Sequence, residues 1–284
     1  MQSMAAGGMT RSARAVPVLM YHHISTSPGM ITVSPDHFAA QMAYLANAGY
    51  TTIGSMQLAA YLAGEPLPKK SVMLTFDDGY LDNWVHAHPV LQAHGLTALC
   101  FLVTSWIGEG RARAHARSGA VLPPLLNHRD GEMAIENGES DRAILRWSEI
   151  DAMREAGTFE FHSHTHSHVR WDQVSADADD KCARLARDLI DSRTTLKARL
   201  GAGSDHLCWP QGYYDDDYRR VAVQAGFRHF YTCEAGSNYP GNDENAVRSI
   251  TRLEVRDRPT SWLASRLWVH SRPAISRTYL KIKR

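Results

Sequence analysis

The chain has almost no excess of charge. Thirty-one Lys and Arg stand against thirty Asp and Glu in 284 residues, a formal net charge of +1. A nucleic-acid partner normally shows as a basic surplus, so none is expected. Cysteine is scarce as well: Cys100, Cys182, Cys208 and Cys233 are scattered, with no CxxC pair. Buried reduced thiols are therefore the expected state, not a disulfide framework. No apolar run is long enough to span a membrane. The piece Val16–Tyr21 is too short for the apolar core of a signal peptide and runs straight into His22 and His23. The expectation is a cytoplasmic protein, or a cell-envelope protein from which a leader has been removed.

What is present is an apolar content of 44% and fifteen histidines. The length suits one large α/β domain or two small ones. Val16–Ile24 reads as a first strand ending in histidines. Ser34-Pro35-Asp36 then opens a helix, with a serine cap and proline at the first helical position. Phe38, Met42 and Leu45 form its apolar stripe and Gly49 stops it. Helix ends stopped by glycine recur at Gly95, Gly157 and Gly226. Strand-like runs follow these three, at Thr97–Val103, Thr158–Phe161 and His229–Thr232. Alternating helix and strand imply a parallel sheet or barrel. Asp177–Leu200 reads as a long outer helix with Leu185, Leu189 and Leu196 inward, and Ile250–Val255 as the last strand. Between about 107 and 146 the alternation lapses, which predicts an inserted, mobile loop over the rim. Its His128-Arg129-Asp130 matches a kinase catalytic triplet, but the asparagine at the required offset and a glycine-rich loop are both missing.

The stretch that organises the chain is Val72-Met73-Leu74-Thr75-Phe76-Asp77-Asp78-Gly79. A buried strand ends in two adjacent carboxylates and the chain turns at once, at the strand end where α/β folds assemble their sites. Neighbouring carboxylates repel unless a cation or a shared proton compensates. The complement is His162-Ser163-His164-Thr165-His166-Ser167-His168. On one continuous strand His164 and His168 would stand roughly 13 Å apart, too far for one ion with bonds of about 2 Å. If the strand stops near His164 and a helical turn follows, with Ser163 and Thr165 capping it, the pair comes within reach of one ion. His164 and His168 are accordingly predicted as metal ligands, with His162 and His166 pointing elsewhere.

These two segments together resemble the polysaccharide deacetylase family (NodB-like, carbohydrate esterase family 4). Thr75-Phe76-Asp77-Asp78-Gly79 matches its first motif and Ser163-His164-Thr165-His166-Ser167-His168 its second. Trp209-Pro210-Gln211-Gly212-Tyr213-Tyr214 resembles a third, and Ile250–Val255 a late strand. The early Leu19-Met20-Tyr21-His22-His23-Ile24 is similar to the poly-N-acetylglucosamine deacetylase subgroup, in which motif order is permuted and the acid histidine comes first. The resemblance covers about residues 16 to 256. It implies a single-domain α/β fold, a distorted (β/α) barrel of about seven parallel strands over 16–270, with a flexible N-terminus over 1–15 and a C-terminal tail over 271–284.

It also implies a reaction and its residues. A divalent metal, usually zinc, with Co2+ or Ni2+ as alternatives, would be held by Asp78, His164 and His168. Asp77 would be the general base and His22 the general acid, in preference to the late His270. The backbone N–H of Gln211, just after Pro210, would face the oxyanion. The arginine that orients the base in the family is replaced here by Leu207-Cys208, and Arg252 is the expected substitute. Trp209, Tyr213 and Tyr214 read either as a sugar-stacking wall or as packing. The expected activity is metal-dependent removal of N-acetyl groups from an N-acetylated carbohydrate. The alternatives are an amidase or deformylase acting on another non-peptide C–N bond, and a non-catalytic glycan-binding relative.

Overall fold

A computed structural model describes residues 12–241 and 248–283. Its core is one curled, all-parallel sheet. The main strands are β1 (Val18–Tyr21), β2 (Ser71–Phe76), β3 (Ala98–Leu102), β4 (Phe159–Ser163), β5 (His206–Cys208), β6 (His229–Tyr231), β7 (Arg248–Ile250) and β8 (Leu253–Glu254). Their order is β7-β6-β5-β4-β3-β2-β1-β8. The ends of this order are joined through Thr251 and Arg252 alone: Ile250 pairs with Tyr231 of β6, and Leu253 with Leu19 of β1. One chain segment thus bonds to β6 with its first half and to β1 with its second, closing the curl. Counting it once gives seven strands, a distorted (β/α) barrel in a single domain.

β1, β2 and β3 are buried along their whole length, as expected of parallel strands covered on both faces. Helices supply the cover. α1 (Pro35–Asn47) starts as its sequence predicts, Ser34 Oγ accepting from the His37 N–H and Phe38, Met42 and Leu45 fully buried. α2 (Ser55–Leu62), α3 (His88–His94), α4 (His128–Glu136) and α5 (Trp147–Glu155) follow. α6 (Ala178–Leu200) is capped by the Asp177 side chain and buries Leu185, Leu189 and Leu196. α7 (Asp216–Gln224), α8 (Thr260–His270) and α9 (Pro273–Lys283) complete the layer.

Three expectations are corrected. The 271–284 segment is more than a tail: Pro273–Lys283 is helical, and it packs on α8, His270 Nδ1 lying 2.8 Å from Ser276 Oγ. Of the segment expected to be flexible, residues 1–11 lie outside the described residues, but Ala13 and Ala15 are buried and the Ala13 N–H donates to the Leu67 carbonyl. The 107–146 insert is anchored rather than loose. It carries α4, and Arg113 forms a two-pronged pair with the buried Glu149 of α5, both bonds at 2.7 Å. Among the described residues no helix is long and apolar enough to cross a membrane.

Candidate active site

Asp77 and Asp78 leave the end of β2 as the motif requires, on a strained backbone. Asp78 has φ 71° and Gly79 φ 79°, a region costly for any side chain but glycine. A Cβ on Gly79 would also lie 2.8 Å from Leu102 Cδ2. The two turns throw the carboxylates in different directions. Asp77 points inward and down, Asp78 toward the end of β4.

β4 stops at Ser163, and the chain then turns on positive φ at Thr165 (68°) and His168 (59°). The expected helical turn is absent. The hydroxyls nevertheless do the predicted work: Ser163 Oγ accepts from the Thr165 N–H and Thr165 Oγ1 from the His168 N–H, each at 3.1 Å. Asp188 of α6, buried, accepts from the N–H and hydroxyl of Ser167 and holds the loop from outside. His164 Nε2 then lies 3.3 Å and His168 Nε2 3.5 Å from Asp78 Oδ1. His166 turns away to Thr104 Oγ1, and His162 to Ser204 Oγ.

The electrostatics of this trio ask for a cation. Asp78 Oδ1 is buried with no hydrogen-bond partner, an arrangement that is costly unless something positive sits there. His164 Nδ1 is 2.9 Å from the Cys208 carbonyl. A carbonyl only accepts, so Nδ1 carries a proton, and in the neutral ring Nε2 keeps the lone pair that an ion would take. Burial raises Asp78's pKa, but the close approach of His164 and the charges of both imidazoles win and leave it far below the ordinary carboxylate range. Burial likewise opposes charge on His164, yet Cys208 and Asp78 outweigh it and push its pKa well up. Without an ion, a second proton on His164 would answer that demand, while burial drives His168 down to about 4. One carboxylate oxygen and two imidazole nitrogens within 4.8 Å of one another fit a divalent ion with ligand positions to spare. The overlapping trio Asp77, His164 and Cys208 is also this compact. It fits less well, because Arg252 engages both Asp77 oxygens and burial pushes the Cys208 thiol up to about 11.

Arg252 is fully buried, its guanidinium forked on Asp77 at 2.6 and 2.8 Å and its Nε bonded to the Thr232 carbonyl. It therefore lies beneath the carboxylate, away from any substrate groove, where an arginine orienting the base would stand. The kink that closes the barrel directs it there. Burial raises Asp77's pKa, but Arg252 and then His22 prevail and hold it below the usual carboxylate range. His22 Nε2 stands 3.7 Å from Asp77 Oδ2. His270, the rejected candidate, is buried in the α8–α9 pair against Ser276 and Tyr279.

Trp209 is corrected outright. It is fully buried, stacked on Phe230 with ring centroids 5.2 Å apart, so it packs the interior and stacks no sugar. Pro210 is buried as well, while Gln211 is exposed at φ 54° on the turn after β5. Tyr214 is half-buried, its hydroxyl donating to Glu234 Oε1 at 3.0 Å.

Sequence reasoning missed a second group beside the first. His23 does turn away from His22, and its Nδ1 meets the buried Asp82 at 2.6 Å while its ring stacks on Tyr80 at 3.7 Å. His128, from the dismissed triplet, reaches in from α4 to 3.3 Å from His23 Nε2 and 3.4 Å from the Tyr80 hydroxyl. The adjacency of Tyr80 to the Asp-Asp pair was the available signal; nothing local marks His128.

A family model described as polysaccharide deacetylase matches residues 64–230, more than half of the chain. The chain belongs to the polysaccharide deacetylase family. It is 41% identical over 240 residues, 81% of its length, to the poly-beta-1,6-N-acetyl-D-glucosamine N-deacetylase of Escherichia coli (strain K12), and spans 34% of that protein. It is 22% identical over 221 residues to the Staphylococcus aureus (strain MSSA476) protein of the same name, covering 77% of this chain and 67% of that one. Among solved structures, the Streptococcus pyogenes deacetylase PplD in complex with acetate superposes with a TM-score of 0.69 at 21% identity, over 89% of this chain and 98% of that one. IcaB from Ammonifex degensii superposes with a TM-score of 0.67 at 23% identity, over 90% and 97%. At these identities the structural likeness carries the fold.

Proposed function

We propose that the protein hydrolyses the N-acetyl amide of an N-acetylglucosamine polymer, with Zn2+ or a similar divalent ion held by Asp78, His164 and His168. The observation that carries this reading is the unpartnered Asp78 Oδ1, faced by two imidazole nitrogens and standing beside a second acid that an arginine keeps ionised. The names of the relatives support the choice of sugar. When bound, the ion supplies Lewis acidity, polarising the acyl carbonyl and making a water more acidic.

The protein's own groups supply the rest. Asp77 accepts the proton from the attacking water as the new C–O bond forms. Arg252 occupies one lone pair on each Asp77 oxygen, which fixes the carboxylate plane and leaves Oδ2 open on the His22 side. His22 donates a proton to the amide nitrogen as the C–N bond breaks, giving acetate and a free amine. Burial lowers the pKa of His22 against the opposing pull of Asp77, which makes its protonated form the stronger acid. The exposed turn at Gln211 offers a backbone N–H to the oxyanion.

The test is acetate release from N-acetylglucosamine oligomers by metal-free protein to which Zn2+ or Co2+ is returned. Asp77→Asn is expected to keep the ion and lose turnover. Cleavage of a small non-sugar amide with oligomers left intact would replace this substrate by the amidase reading. Oligomer retention without any cleavage would replace it by the binding one.

A further inference from the structure

A second cluster of side chains that could hold a metal lies at the starts of β5 and β6, two residues before their catalytic ends. His206 and His229 are the first residues of β5 and β6 and pair in register. Their rings stack with centroids 4.4 Å apart. Asp205 precedes β5, and its two oxygens divide between the rings: Oδ1 is 3.5 Å from His206 Nε2 and Oδ2 is 3.9 Å from His229 Nε2. His162 of β4 adds a third imidazole, its ring 4.7 Å from that of His206, with Glu160 Oε2 3.5 Å from its Nε2. The cluster is separate from the catalytic end. Cys208, whose carbonyl holds His164, is two residues along β5 from His206, roughly 7 Å of strand. The packed rings of Phe101 and Tyr231, 4.5 Å apart, add an aromatic layer to the barrel here.

We infer that Asp205, His206 and His229 form a second divalent transition-metal site, selective for Zn2+, Co2+, Ni2+ or Cu2+ over Mg2+ or Ca2+. The three donor atoms lie within 4.8 Å of one another, and imidazole with one carboxylate is the donor set those ions prefer. Tyr231 and Ser204 satisfy one nitrogen each on His206 and His162, and Glu160 faces the other nitrogen of His162, whereas His229 Nδ1 is buried without a hydrogen-bond partner. Imidazoles serving only as packing would be expected to find partners. Burial, and then the neighbouring imidazoles, lower the pKa of His206, which keeps it in the neutral form that binds metal. Two carboxylates, Asp205 and Glu160, face this group. Arg248 on β7, beside His229, is the cation on the other side of the balance. Asp205 is half-exposed, so an ion enters from solvent without passing the catalytic cleft. Bound there, it would tie the start of β5 to the start of β6.

The experiment is metal counting on the full chain, equilibrated with Zn2+ and freed of excess. Wild type is expected to hold two equivalents. An Asp78→Ala/His164→Ala variant, lacking two catalytic-end ligands, is expected to hold one, to show a Co2+ visible spectrum, and to melt higher with Zn2+ than without. Adding the solvent-side change Asp205→Asn, which leaves the buried rings in place, should weaken that remaining ion at least tenfold, and His229→Gln should remove it. An Asp78→Ala/His164→Ala variant that is folded but holds no zinc overturns the inference. So does one that keeps its zinc through Asp205→Asn and His229→Gln. Neither outcome bears on acetate release by wild type, so the two readings fail separately.

Discussion

Arg252 offers the sharpest test of the reasoning, because one side chain both closes the barrel and sets the state of Asp77. Replacing it with alanine removes two short hydrogen bonds and leaves Asp77 buried, with His22 at 3.7 Å. Breaking a buried ion pair from one side costs about 3–5 kcal/mol. At about 2–4 °C per kcal/mol for a chain of this size, melting should fall by roughly 10 °C at pH 7. The pH dependence has a definite sign. In wild type the depressed pKa of Asp77 contributes stability that is complete above the unfolded value of about 3.9. That contribution is lost only as pH falls through the lower folded value. In Arg252→Ala, burial, the largest influence on Asp77, raises its pKa without that opposition. The stability gap between the two proteins should therefore widen as pH rises from about 3 to 7. The acidic limb of kcat/KM should move to higher pH. Arg252→Lys keeps the charge but not the fork and should fall between them. Both variants should keep the ion at Asp78, which Arg252 does not touch. Melting within about 2 °C of wild type at pH 7, or full turnover with an unmoved acidic limb, would refute the argument.

Asp188→Asn should leave the fold intact but weaken the catalytic ion roughly 10–100-fold by titration, because it loosens the Ser167 anchor of the His168 turn. Glu160 has its pKa lowered to about 2, burial opposing and His162 and the Ser55 N–H prevailing. Its stabilisation should be whole above the unfolded value of about 4.3 and fade as pH falls toward 2, so Glu160→Gln should flatten melting temperature against pH in that window. Trp209→Ala should cost about 3–5 kcal/mol by denaturant unfolding, as for other buried aromatics. Trp209→Phe, which keeps the stack on Phe230, should leave KM for sugar oligomers unchanged.

The division between sequence and fold runs along the range of the interactions involved. Local chemistry was legible: a strand ending in Asp77-Asp78-Gly79, a histidine tract that must break after Ser163, a serine-capped helix at Pro35, glycine-stopped helices alternating with strands. Each depends on neighbours within a few residues, so the pattern carries it. Three features were legible in part or not at all, because they rest on contacts between distant segments. Trp209 lies beside a proline in a glycan-motif context, and only packing against Phe230 buries it. His128 sits in a stretch without periodicity, and only the Arg113–Glu149 anchor folds that insert against the barrel and lets it meet His23. Arg252 is the expected substitute for the arginine that orients the base, but its fork and burial come only from the closure of β7 and β8 onto opposite edges of the sheet, which turns it inward under Asp77. The residues that do chemistry were written in the sequence, because bond-making groups must be of fixed type. Their partners were chosen by the fold, because charge and burial act through space and take no account of position along the chain.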